Sequence, residues 1–167
     1  MPAPTAFQWN ALIRAYAICT LALLLKYFAS VMLAADQEKA HLPEEGVVNN
    51  LIGNPKNFSE ATRKRYKGVT NNDIECIPLH LVIFWAAYVL QTQANAQGNG
   101  SLETVALTCL VVIYTATRTL HSVCYYCGLQ PWRTVSFLIA TMSAWGAGAL
   151  LVAAAFNIDT SKLYGAQ

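Results

Sequence analysis

The chain has 167 residues, of which 55% are hydrophobic and only 12% charged, with a net charge of +2 and a mean hydropathy of +0.35. A water-soluble domain carries roughly 25% charged residues, so this balance points to a membrane protein of about one modest domain. The small net charge and the lack of a basic stripe interleaved with aromatics exclude a nucleic-acid partner.

Four apolar segments have the length a bilayer requires, roughly 17–25 residues. The first is predicted from about Trp9 to Ala35. It has no basic flank before it and is too long for a signal-peptide core, so it reads as a retained span. The polar stretch 36–71 follows, with Pro43, Gly46, Gly53 and Pro55, and reads as one long loop. The second span is predicted from about Asn72 to Thr92, the third from about Leu102 to Tyr126 and the fourth from about Pro131 to Phe156. "QANAQGNGS" and "CGLQP" are the short turns between them, and Pro131 suits the first turn of the fourth helix. Helices suit such spans because each satisfies its own backbone hydrogen bonds. The expected fold class is therefore an all-α integral membrane bundle of four transmembrane helices.

Lysine and arginine set the expected orientation. The long loop holds Lys39, Lys56, Arg63, Lys64, Arg65 and Lys67, and the third connection ends at Arg133, whereas the opposite side has Lys162 in the tail. Loops one and three are thus expected in the cytoplasm and both termini on the lumenal or exterior side.

The five cysteines, Cys19, Cys76, Cys109, Cys124 and Cys127, are odd in number and scattered through apolar segments, a poor disulfide framework. Cys124 and Cys127 form a CxxC pair, read as two small residues on a membrane helix. No second CxxC or nearby histidine pair completes a zinc site, so no metal is expected.

Charged groups inside a span cost about 2.5–3.5 kcal/mol each on insertion scales and usually face other helices or a cavity. Arg118, His121 and Tyr125 fall at i, i+3 and i+7, one face of the third helix, which Tyr114 extends. Asn72 and Glu75, at i and i+3, share a face of the second helix, and Pro78 removes a backbone donor just after them. Two readings stay open. Glu75 with Arg118 and Arg133 suits a small zwitterionic or anionic ligand. Alternatively Glu75 neutralises Arg118 in a structural network between helices. Lys26, inside the first span, has three roles open to it: snorkelling, pairing with Glu75 or joining a site.

At these residues the chain resembles a known family. N-x-x-E-x-x-P at Asn72, Glu75 and Pro78, R-x-x-H-x-x-x-Y at Arg118, His121 and Tyr125, and P-x-R at Pro131 to Arg133 are similar to motifs of the MAPEG family, the membrane-associated proteins in eicosanoid and glutathione metabolism. That family includes the microsomal glutathione transferases, leukotriene C4 synthase and membrane prostaglandin E synthase. Lys26 also has a family counterpart. The resemblance implies a left-handed four-helix bundle forming a homotrimer, with residues 1–167 as a single membrane domain and glutathione bound between subunits near the cytosolic side. It implies that Arg133 stabilises the glutathione thiolate, that Arg118, His121, Tyr125, Asn72 and Glu75 hold glutathione, and that a lipophilic electrophile or lipid hydroperoxide arrives from the bilayer. In a eukaryotic cell the membrane would be that of the endoplasmic reticulum or the mitochondrion, in a detoxifying or lipid-metabolic role.

The chain departs from the family in two respects. The third connection is a residue shorter than in the prostaglandin synthase, a change expected to shift Arg133 relative to Tyr125. Several relatives carry an arginine shortly before the second-helix asparagine, where this sequence has Gly68, Val69, Thr70 and Asn71; the nearest base is Lys67, and Lys67 or Arg65 is the expected substitute in holding glutathione. This departure and the unmatched residues 41–62 leave a second reading, a non-catalytic scaffold or accessory subunit of a larger membrane assembly.

Overall fold

A computed structural model describes residues 6–39, 59–97 and 101–158, with side chains from 13–33, 59–97 and 103–158. The described chain is four helices: α1 Ala6–Lys39, α2 Glu60–Ala96, α3 Ser101–Cys127 and α4 Gln130–Asn157. All four are long and apolar enough to cross a membrane. The expected all-α, four-span membrane architecture is what the structure shows.

The start of α2 differs most from the sequence reading. The helix begins at Glu60, twelve residues before Asn72, so residues 60–71 are helix and not loop. Ser59 caps it, accepting from the Thr62 backbone amide at 3.3 Å, and Glu60 supplies a negative charge in the first turn. An apolar-run criterion cannot register this extension, because Arg63, Lys64, Arg65 and Lys67 make it polar. At about 1.5 Å per residue, α2 is about 55 Å long, well beyond the roughly 30 Å hydrocarbon core. Its basic turns therefore project past the membrane. The rest of the first connection, residues 40–58 with Lys56, lies outside the described residues, as do residues 98–100 and Lys162.

α3 ends where the sequence changes to Cys-Gly-Leu. Gly128 adopts φ +72°, a left-handed conformation that needs no Cβ. The Leu129 amide then donates to the Cys124 carbonyl at 2.9 Å and the Gly128 amide to Tyr125 at 3.2 Å, the Schellman pattern. Pro131 occupies the first turn of α4. Exposed Leu129 and Trp132 flank this turn, side chains suited to a membrane interface. All five cysteines are unpaired; in the CxxC pair Cys124 is buried and Cys127 exposed.

The core runs through the middle of the bundle. Tyr16 and Leu23 of α1, Ile77 and Phe84 of α2, and Leu107, Val111 and Tyr114 of α3 pack against Ala140, Ala144 and Ala147 of α4. The small residues of α4 recur at i, i+4 and i+7, a stripe that lets helices approach closely where lipid gives no hydrophobic drive to associate. Aromatic contacts tie α1 to α2: Tyr16 lies 5.7 Å from Trp85 and 5.0 Å from Tyr88, centroid to centroid. The outer faces are apolar, with Leu25, Phe28, Val82, Trp145 and Phe156 exposed.

One buried ionic knot joins three helices. Asp73 of α2 is fully buried. Its carboxylate accepts from Lys26 Nζ of α1 at 2.5 Å, from Ser30 Oγ at 2.7 Å and from Arg118 Nη2 of α3 at 3.0 Å. Arg118 also donates to the Asn72 carbonyl at 3.2 Å and is 1% exposed. The expected structural partner of Arg118 and Lys26 was Glu75. The structure gives both cations to Asp73 instead and leaves Glu75 exposed. Removing one member of such a group leaves uncompensated buried charge, at a cost of about 3–5 kcal/mol. Asp73→Ala is therefore expected to lower the thermal unfolding midpoint in detergent sharply. Lys64→Gln, which removes the exposed Lys64–Glu60 pair at 2.8 Å, should change stability by no more than about 0.5 kcal/mol.

Candidate functional site

At the end of the bundle where α2 starts, α3 ends and α4 starts, an open cleft of about 300 Å³ is lined by Gly68 and Asn72 of α2, His121 and Tyr125 of α3, and Arg133, Thr134 and Phe137 of α4. Four residues singled out from sequence, Asn72, His121, Tyr125 and Arg133, meet here. They come from three helices and are brought together because the α3–α4 turn is so short.

Arg133 sits in the first turn of α4. Its guanidinium carbon lies 4.6 Å from the Tyr125 ring centroid, a cation–π contact. Its backbone is pinned as well: the Arg133 carbonyl accepts from His121 Nδ1 at 3.0 Å and from Ser136 Oγ at 3.0 Å. A carbonyl only accepts, so Nδ1 carries the proton and a neutral His121 has its lone pair on Nε2. That Nε2 is buried without a partner, and so is Asn72 Oδ1. Two residues lining the cleft thus hold unsatisfied buried acceptors beside a guanidinium. A ligand offering N–H donors together with an anionic group answers all three, and buried polar atoms of this kind call for such a partner.

Tyr125 crosses the cleft mouth toward α2. A Cβ at Gly68 would lie 2.9 Å from Tyr125 Cζ and still closer to its hydroxyl. Gly68 therefore accommodates the tyrosine, and no side chain can project from position 68 without moving it. The ring also stands edge-on to His121, with centroids 5.9 Å apart.

The remaining sequence candidates lie elsewhere. Arg118 and Lys26 are held by Asp73, outside the cleft lining. Lys67 is exposed on α2 and does not line the cleft. Glu75 is exposed beside Ile74 and Leu79, on the same face of α2 as Asn72 but beyond the cleft. Sequence reading missed four participants: Gly68, Asp73, Thr134 and Phe137. Asp73 had a usable signal, since it falls four residues before Ile77 and eleven before Phe84, on the stripe that α2 buries. Nothing marked Thr134 and Phe137 apart from their nearness to Arg133.

A sequence model of the MAPEG family matches residues 16–155, most of the chain and all four helices. The chain belongs to the MAPEG family. Its members include glutathione transferases and related enzymes, together with some non-catalytic proteins, so membership makes this a multi-pass membrane protein of a glutathione-related family. A search among curated proteins gave no match. Of the residues that carried the resemblance, Asn72, His121, Tyr125 and Arg133 shape a cleft, Arg118 and Lys26 are held by Asp73 outside its lining, and Glu75 is exposed beyond it.

The Gly68–Tyr125 fit is testable by a double-mutant cycle. Gly68→Ala should destabilise the detergent-solubilised protein by about 1–3 kcal/mol, the usual range for overpacking. In a Tyr125→Ala background, thermal denaturation should show most of that cost removed.

Proposed function

We propose that the chain is a glutathione-dependent membrane enzyme that conjugates or reduces lipophilic electrophiles, lipid hydroperoxides among them. In this reading residues 1–167 form a single membrane domain, acting as a homotrimer with its termini on the lumenal or exterior side. The observation that carries it is the Arg133 guanidinium, pinned through its own backbone beside the unpartnered His121 Nε2 and Asn72 Oδ1. Glutathione offers a thiol, amide N–H donors, an ammonium and two carboxylates. The acceptors answer its donors and the guanidinium answers its sulfur.

The thiol supplies the nucleophile. A free thiol has a pKa of about 8.5, so only a few per cent is thiolate near neutrality, and a cation at contact distance favours the ionised form. Arg133 suits that role because its guanidinium keeps its proton. Tyr125 holds the guanidinium from one side, leaving its edges for a ligand. His121 keeps the first turn of α4, and with it Arg133, in register with α3. Exposed Glu75 becomes useful once a second copy packs against α2: a carboxylate on the rim then meets the ligand's ammonium. The lipid-facing helices give an apolar partner a route from the bilayer to a thiol that enters from water.

Arg133→Ala is expected to reduce glutathione-dependent turnover by at least about a hundredfold, as removal of one charge-stabilising group commonly does. Light scattering in detergent should show the same oligomer as for the unaltered chain. Arg133→Lys keeps a point charge without the planar fork and should fall between the two. Full turnover in the alanine variant would exclude this reading.

A further inference from the structure

A second histidine lies in the membrane, apart from the cleft lining. His80 sits on α2 inside the second span, half-buried, among the exposed apolar side chains of Leu79 and Val82. Its Nδ1 stands 2.9 Å from the hydroxyl of Tyr114 on α3, and the two rings meet edge to face with centroids 5.2 Å apart. An ionisable side chain inside a span is costly and points to a function as well as a partner.

The hydrogen bond fixes which nitrogen carries the proton. Tyr114 is fully buried, and His80 Nδ1 is the acceptor its hydroxyl reaches among the described residues. The hydroxyl therefore donates to Nδ1, and in the neutral ring the other proton sits on Nε2. Nε2 is neither hydrogen-bonded nor enclosed among the described residues. This is the reverse of His121, whose Nδ1 donates to the Arg133 carbonyl and whose Nε2 is an acceptor. A tyrosine hydroxyl needs one acceptor. Answering it with a histidine leaves an N–H donor inside the span, where hydrocarbon offers it no partner.

Its position on α2 relates this donor to the cleft. Asn72, Cys76 and His80 fall at i, i+4 and i+8, a ridge that starts in the cleft lining and runs into the bilayer. From Asn72 to His80 is about 12 Å along the helix axis, so the donor lies at the depth of acyl chains and not of headgroups. Glu75, on the rim that a second copy meets, is turned about 140° from His80 around α2. His80 thus leans toward α3, which holds it through Tyr114, and away from the face offered to a second copy.

We infer that His80, held by Tyr114, is a specificity-determining residue for the lipophilic partner, donating through Nε2 to one oxygen on that partner's tail about 12 Å below the cleft. The inference rests on the glutathione reading above and narrows its second substrate to an electrophile whose otherwise apolar tail carries a hydrogen-bond acceptor partway along. A plain hydrocarbon tail leaves the donor unsatisfied. With the reacting carbon held beside the sulfur and the tail oxygen held at His80, two fixed points orient a flexible chain for reaction.

The test is a positional scan. Long-chain enals of equal length, each with a single keto oxygen at a different tail position, are compared with the plain-tailed enal as acceptors of glutathione in the detergent-solubilised protein. In the reaction the thiolate forms a C–S bond at the β-carbon, and the proton given up by the thiol returns to the α-carbon. In the unaltered protein kcat/KM should peak at about two- to tenfold above the plain-tailed compound, the worth of one hydrogen bond, when the oxygen lies about 12 Å from the β-carbon. His80→Leu combined with Tyr114→Phe removes both partners, orphans no buried hydroxyl and should flatten the scan. His80→Gln keeps an acceptor for Tyr114 and an N–H donor and should keep a weaker peak. A flat scan in an unaltered protein that ionises glutathione, or an undiminished peak in the double variant, overturns the assignment of His80. Failure of the unaltered protein to ionise glutathione at all overturns the reading beneath it, and this assignment with it.

Discussion

A carboxylate buried between two cations sets the frame on which the rest of the molecule depends. Asp73 draws Lys26, Ser30 and Arg118 onto one side chain and so fixes α1, α2 and α3 against each other. Three charges in a bilayer-spanning bundle are tolerable only when paired and hydrogen-bonded. The knot also determines what is left for chemistry. With Arg118 committed to Asp73, the guanidinium that remains in the cleft lining is that of Arg133.

The cleft follows from that frame and from two backbone devices. The Schellman turn at Gly128 reverses the chain in so few residues that Arg133 returns directly against His121 and Tyr125. The absence of a side chain at Gly68 lets Tyr125 reach across to α2. The site is thereby placed at the boundary where polar helix extensions leave the membrane, the place where a water-borne thiol and a lipid-borne partner can meet.

Much of this was legible in the sequence, for physical reasons. Four apolar runs of bilayer length have one stable solution, and the periodicity of Arg118, His121 and Tyr125 correctly gave them a common face. The α2 extension was not legible to hydropathy, because a helix in water needs caps and good helix formers and no apolar run; Ser59 and Glu60 were the signal. The pairing of Arg118 was misjudged because Glu75 shares a face with Asn72, while Asp73 lies on the stripe with Ile77 and Phe84 that the bundle buries. Burial, and not charge alone, decides which carboxylate a buried guanidinium meets. Thr134 and Phe137 could not be foreseen, since their place in the cleft depends on how α4 leans on α3.

The central claim is that Arg133 offers its charge to a thiol in the cleft. The most direct measurement is the ultraviolet thiolate absorbance that develops when glutathione is titrated into the detergent-solubilised protein near neutral pH. The account predicts a saturable signal in the unaltered chain that disappears in Arg133→Ala. A folded protein that shows no thiolate at saturating glutathione, or an alanine variant that shows as much as the unaltered chain, would contradict it.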